Sequence, residues 1–396
     1  MDSSSRGRKD LQMAPRPNLH LAVALDGTGW HPAAWRDESA RGAEIFTAGY
    51  WVDVVREAEH GLLDFVTIED SLGPQSTLGD GPDDRTDQVR GRLDAGLIAS
   101  RVAPRTTHIG LVPSAVVTHT EPFHISKAVA SLDYISAGRA GWQVQVSDRR
   151  SEAAHFGRRE VDPAELFDEA ADYVEVVRRL WDSWEDDAEI RDVATGRFID
   201  REKLHYIDFA GKWFDVKGPS ITPRPPQGQP LVTALAAEAA AHRFATRAAD
   251  VIFTTPHDAE QARIITDRIR AEQPNSGRGP QVFGDLVVFL GERAAERKDR
   301  LDELDGAVFT SDAAVFTGSA AGLADRLLSW AEAGLSGFRL RPGAIPHDLT
   351  AITRGLVPEL QRRGAFRTAY EASTLRGLFG LHRPASRYAA TAGGHL

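Results

Sequence analysis

The stretch from Thr107 to Ser147, THIGLVPSAVVTHTEPFHISKAVASLDYISAGRAGWQVQVS, decides the architecture. Its first part, Thr107 to Val117, is β-branched and apolar and reads as a strand. Pro122 to Ile135 then carries apolar residues at helical spacing, with proline in the position that opens a helix. Ala140 to Ser147 returns to a strand pattern. A strand, a helix and a second strand joined by short connections form a βαβ unit, whose two strands lie parallel.

The same alternation extends in both directions. Upstream, strand-like Asn18 to Leu25 is closed by the turn Asp26-Gly27. A helix follows over Tyr50 to His60, ended by Gly61, and Leu63 to Ile68 forms a second strand running into Glu69-Asp70. Arg92 to Ala103 reads as a helix. Downstream, a long amphipathic helix covers Pro163 to Trp184. Strands at Leu231–Leu235, Val251–Thr254, Val282–Leu290 and Gly337–Leu340 are separated by helices at Ala236–Ala249, Ala259–Glu272, Arg293–Leu304 and Ala321–Ala333, and Pro346–Arg363 closes the pattern. Eight strands with helical crossovers predict an α/β fold, a single (β/α)8 TIM barrel. A doubly wound open sheet is the alternative, but no GxGxxG follows the first strand.

Residues 185–230 break the rhythm with Pro, Gly and charge, and are expected to be an inserted lid. Residues 1–16 are expected to be a disordered tail, 17–383 the barrel and 384–396 a flexible tail. The 396 residues hold 47 Lys+Arg against 57 Asp+Glu, a formal charge of -10, which argues against nucleic-acid or anionic-membrane partners. No cysteine is present, which excludes disulfides, thiolate metal sites and a catalytic thiol. No apolar run is long enough to span a bilayer and no secretory signal is visible, so a cytoplasmic location is expected. No metal-ligand spacing, GxSxG elbow or phosphate loop occurs, and no metal is expected.

Barrel enzymes place their chemistry at the C-terminal strand ends. Here those ends carry Asp26 to Trp30, Glu69 to Ser71, Thr118-His119, Ser147-Asp148, Ala236-Ala237 and Thr254-Thr255. Asp70 is a candidate for holding a cofactor and equally for capping the next loop. His119 is the candidate general acid or base. Trp30, Trp35 and Trp142 are candidates for an aromatic wall and equally for core.

The sequence resembles the bacterial-luciferase-like flavin-dependent monooxygenases, in the nitrilotriacetate and dibenzothiophene-sulfone branch. EPFHISKAVASLDYISAGRAGW (Glu121–Trp142), HPAAWR (His31–Arg36), LWDSWEDDA (Leu180–Ala188), GKWFDVKGPSITPRPPQGQP (Gly211–Pro230) and VPELQRRGAF…TLRGLFGL (Val357–Leu381) carry it. The resemblance implies a luciferase-type barrel using reduced FMN, supplied by a separate flavin reductase. It implies oxygenation of a small organic substrate through a flavin C4a-(hydro)peroxide, in a homodimer or homotetramer. The flavin-contact positions it implies fall on Asp70, Thr118, Gln143, Phe167, Ala236 and Ala237. Several depart from the family pattern. Gln143 replaces asparagine, Pro163 and Phe167 replace histidine and tyrosine, Leu235 replaces glycine and Ala237 replaces serine, which thins the phosphate contacts. Arg243 or Arg158 is the candidate substitute. Two other readings stay open: a relative with a degraded phosphate site, acting as a non-catalytic partner subunit or without flavin, and a deazaflavin-dependent oxidoreductase.

Overall fold

The structure is a computed structural model, and it describes residues 19–157, 161–272 and 279–389. The expected tail at 1–16, Arg158, and residues 390–396 of the expected C-terminal tail lie outside the described residues. Eight parallel strands close on themselves: β1 (His20–Leu25), β2 (Phe65–Ile68), β3 (Gly110–Val116), β4 (Gly141–Gln145), β5 (Leu231–Leu235), β6 (Val251–Thr254), β7 (Gln281–Leu290) and β8 (Gly337–Pro342). Each pairs with the next, and β8 pairs with β1 in the register His20↔Gly337 to Val23↔Leu340. The barrel is closed, so the open doubly wound alternative is excluded.

The helices follow from local signals. In α1 (Ala48–His60) the Thr47 hydroxyl accepts from the Tyr50 N–H, and Tyr50, Trp51, Val54, Val55 and Ala58 make one buried stripe. Pro122 opens α3 (Pro122–Ile135), whose preceding crossover helix is α2 (Ala95–Val102). The long helix α4 covers Leu166–Asp182, three residues shorter at its start than the sequence predicts, because Pro163 lies in a turn where Asp162 accepts from Ala164 N–H. The helix that follows β8 is interrupted by a π-helical turn at Ile352–Leu356. Pro358 lacks an N–H and cannot continue the ordinary bonding pattern.

Sequence reading missed one strand of the main sheet. Ala314–Gly318, expected to be irregular, pairs in parallel with Leu286–Leu290. Its partner β7 is long enough to serve two neighbours: its first half pairs with β6 and its second half with this extra strand.

The N-terminal end of the barrel is plugged by the chain's own C-terminal segment. Leu375 and Phe379 pack with Ala22, Phe65, Val112, Leu231, Val251, Phe253 and Phe283 inside the strands. Room for the plug comes from Gly110, where a Cβ would stand 2.5 Å from Leu375 and 2.8 Å from Phe65.

The segment 185–230, expected to be a lid, carries little regular structure. It holds two short antiparallel hairpins (Glu189–Asp192 with Arg197–Ile199, Phe209–Ala210 with Asp215–Val216). Phe214 meets Tyr173 of α4 edge to face at 5.5 Å, and Arg179 of α4 lies over Phe209. Buried Arg224 bonds Asp182 at the end of α4 at 2.9 Å. Phe209 and Phe214 of the segment are thus held against α4. The loop between β2 and α2, residues 69–94, is what reaches across the C-terminal mouth. Arg85 bonds Asp305, Ser151 bonds Asp80, and Arg92 pairs with Asp26 at 2.8 Å.

Candidate active site at the C-terminal mouth

Two adjoining cavities open at the C-terminal strand ends. One, of about 450 Å³, is walled by Asp26, Trp30, Glu69, Asp70, Arg92 and Gln145 among others. The other, of about 620 Å³, lies between the end of β1 and residues 305–310 and shares Asp26, Trp30, Gln75 and Ser76 with the first. Both are of the size that takes a small organic ligand. Trp30 is brought there by Gly29, where φ is 130° and a Cβ would stand 2.5 Å from the Gly343 carbonyl oxygen. Only glycine lets the two loops meet at that distance.

Beneath the smaller cavity the barrel interior is charged. Asp285 on β7 accepts from Arg339 Nε at 3.0 Å and from Arg341 Nε at 3.0 Å, both on β8. Arg341 also donates to Asp312 at 2.6 Å and lies over the Trp30 ring at 4.5 Å. Burial opposes the Arg341 charge, but Asp285 and Asp312 outweigh it and hold its pKa above the usual value. Glu69 accepts from Thr67 Oγ1 at 3.0 Å, Gln143 Nε2 at 3.3 Å, Gln145 Nε2 at 3.1 Å and Arg339 Nη1 at 3.4 Å. Strand alternation explains the layer: Arg339 and Arg341 are two residues apart and so share the inner face.

The residues singled out from the sequence lie in several different settings. Asp70 lies at the mouth, where its carboxylate accepts from the N–H groups of Ser71 at 2.7 Å and Ala95 at 2.9 Å, holding the start of α2. Burial pushes its carboxyl above the ordinary range, against those two bonds. Gln143 is inside the barrel with its amide committed to Glu69 and to Arg339, whose Nη1 donates to it at 2.5 Å. Thr118 is buried and accepts from Ser147 N–H at 3.0 Å, tying the loops after β3 and β4 together.

His119 does not wall either cavity. It is buried, has a left-handed backbone with φ of 68° and stacks on Phe156 with ring centroids 5.7 Å apart. Phe167 lies against Phe244 of the helix α5 (Ala239–Ala248), beside a separate cavity of about 350 Å³ that Ala164, Arg243 and Arg247 also line. Ala236 is buried and donates to the Phe253 carbonyl at 2.8 Å, while Ala237 is exposed just before α5. Trp142 is core, fully buried and packed on Tyr173. Trp35 is 40% exposed and bonds the Asp87 carbonyl.

Arg339, Arg341, Asp285 and Gln145 escaped the sequence reading. Their signals were present: charges at alternate positions in GFRLRP, and one aspartate in the otherwise apolar run FGDLVVFL. Among the described residues no group of three or more His, Asp or Glu is arranged to hold a metal ion. No helix among them is long and apolar enough to cross a membrane.

A closed parallel barrel with its cavities at the C-terminal mouth defines an enzyme scaffold. The family model for luciferase-like monooxygenases matches residues 29–351, and the chain belongs to that family, oxidoreductases acting with O2. It is 31% identical to N-acetyl-S-(2-succino)cysteine monooxygenase of Bacillus subtilis, over 94% of this chain and 99% of that protein. It is 30% identical to nitrilotriacetate monooxygenase component A of Aminobacter aminovorans, over 94% and 98%. Among solved structures, a riboflavin lyase holding modified FMN and the substrate riboflavin superposes with a TM-score of 0.83 at 25% identity, covering 93% of this chain and 97% of that one.

Proposed function

We propose that this chain is the oxygenase of a two-component system. It takes reduced FMN from a separate flavin reductase and inserts one oxygen of O2 into a small organic substrate. The observation that carries the reading is the pair of adjoining cavities at the mouth, 450 and 620 Å³, side by side across Trp30. One accommodates a flavin ring and the other a substrate beside it.

The residues present fit the ring. Asp70, Glu69 and Gln145 give the smaller cavity a polar wall, and Trp30 gives it a flat apolar one. The phosphate end is met differently from the family pattern. Phe167 and Ala237 offer no hydroxyl, and the cations beside Phe167 are Arg243 and Arg247. These, with the backbone N–H groups at the start of α5, would hold the phosphate. Reduced flavin supplies the activation of O2, and that chemistry belongs to the cofactor. The chain's part is to bind, to orient and to exclude water. Asp70 fixes the start of α2 and thereby the loop 69–94, which Arg85 and Arg92 anchor across the mouth. The charged layer under Glu69 keeps the floor rigid.

The test is an anaerobic titration of the full chain with FMN and photoreduced FMN. Saturable binding of the reduced form at micromolar concentration, followed by oxygen transfer to an added organic substrate, is expected. Binding of neither form would overturn the reading. The absent hydroxyls at Phe167 and Ala237 would then favour the second one, a non-catalytic partner subunit.

A further inference from the structure

The wall of the smaller cavity holds several carboxylates, which differ in what their oxygens already do. Both oxygens of Asp26 are bonded by Arg92, at 3.2 and 2.8 Å. Each oxygen of Asp70 accepts a backbone N–H, and each oxygen of Glu69 accepts from two side chains. Asp148 is exposed. Glu152, on a helical turn at Arg150–Ala154, is different: its side chain is 3% exposed, yet its bonds are few. Its Oε1 lies 3.4 Å from Ser71 Oγ and 3.5 Å from Arg149 Nη1, the outer limit for a hydrogen bond. The Ser71 hydroxyl already donates to the Gly73 carbonyl at 2.9 Å. Oε2 accepts from no group among the described residues. A buried carboxylate oxygen without a donor is costly and uncommon. This one belongs to a side chain that lines a cavity of ligand size.

We propose that Glu152 binds the flavin by accepting a hydrogen bond from the imide N–H of the ring. The inference rests on the reading of the smaller cavity as the site of that ring. The imide N–H is a donor that the ring carries in both its oxidised and its reduced state. A charged acceptor makes such a bond shorter and stronger than one between neutral groups. Glycine at position 73 prepares the acceptor: a Cβ there would stand 3.3 Å from Glu152 Oε1. The loop after β2 can therefore lie against the carboxylate and shield it from water. Glu69, Asp70 and Asp26 hold the surrounding frame, because their own oxygens are already bonded within the protein.

The experiment titrates the full wild-type chain and Glu152→Ala anaerobically with FMN and with N3-methyl-FMN, each oxidised and photoreduced. The methyl group removes the imide donor and nothing else from the ligand's hydrogen bonding. Wild type should bind the methylated ligand about 10- to 100-fold more weakly than FMN, in both redox states. Glu152→Ala should bind FMN more weakly by a similar factor. Its two ligands should then differ by less than about threefold, because the bond is already gone and the shortened side chain leaves room for the methyl. Equal affinity of wild type for FMN and N3-methyl-FMN would overturn the assignment of Glu152. An undiminished methylation penalty in Glu152→Ala would overturn it too, by placing the imide against another group. Failure of folded wild-type chain to bind FMN in either redox state would overturn the flavin reading, and this inference with it.

If Glu152→Ala does not fold, Glu152→Gln decides. That variant keeps the shape of the side chain and an acceptor oxygen, and loses only the charge. Its methylation penalty should be about tenfold smaller than that of wild type, since a neutral acceptor makes the weaker bond. A penalty equal to that of wild type would overturn the proposal, because the methyl group would then be acting by its bulk alone.

Discussion

Replacing Asp285 with asparagine removes the charge that joins two buried cations while leaving the side-chain volume unchanged. The side chains of Arg339 and Arg341 are 2% and 3% exposed, and that of Asp285 is 0% exposed. Removing one partner of a buried ion pair costs about 3–5 kcal/mol, because the remaining charge is left without compensation. Arg339 keeps Glu69 and Arg341 keeps Asp312, which places the loss near the lower end, about 3 kcal/mol. For a chain of 396 residues the unfolding entropy is about 0.8 kcal/mol/K, so Tm should fall by about 4 °C. The assay is thermal unfolding followed by circular dichroism near neutral pH. Arg339→Met in the same chain removes one uncompensated cation together with its partner. The double variant should therefore lose less than the sum of the two single changes, by about 1 kcal/mol or more. A Tm for Asp285→Asn within about 1 °C of wild type, or strict additivity, would refute the account of the layer as a coupled ionic cluster.

Asp70→Ala removes two backbone hydrogen bonds at the start of α2 and should cost about 1–2 kcal/mol in urea unfolding; an unchanged midpoint would show that Asp70 serves only a ligand. Arg243→Ala should weaken FMN binding about 10- to 100-fold and leave riboflavin binding unchanged, since a charge-assisted bond to phosphate is worth about 1.5–3 kcal/mol; equal effects on both ligands would separate Arg243 from the phosphate. Burial pushes the Asp133 carboxyl up to about 6, against N–H donors from Gln227 and Ala140. The native state then binds that proton more tightly than the unfolded chain, whose aspartates titrate near about 3.9. The Asp133 contribution to stability is therefore greatest below about pH 4 and declines by about 3 kcal/mol as pH rises through about 6. Stability curves of wild type and Asp133→Asn should differ in slope only inside that window. Phe379→Ala should cost about 3–5 kcal/mol by hollowing the barrel plug, and a loss below about 1 kcal/mol would mean the plug is dispensable.

Much of the barrel was legible because each strand and helix carries its own period. Pro122 to Ile135 is a helix in the sequence pattern and the same helix in the structure, since its proline start and apolar stripe are local signals. The strand Ala314–Gly318 was not legible, because its five residues gain strand character only from pairing with the second half of β7. Segment 185–230 showed a break in rhythm but not its direction. Where Phe209 and Phe214 go depends on Tyr173 and Arg179 of α4, which pattern alone does not locate in space.

The candidate site divides the same way. Sequence by itself determined the closed α/β barrel, the family, and the presence of Glu69 and Asp70 at a strand end, because these follow from period, order and motif. Tertiary structure alone decided that His119 lines neither of the two mouth cavities, that Gln143 is occupied by Glu69 and Arg339, and that Arg339 and Arg341 converge on Asp285. The physical reason lies in pairing and closure: Asp285 and Arg339 stand opposite each other on the paired strands β7 and β8, whereas Gln143 of β4 meets Arg339 only across the interior of the closed barrel.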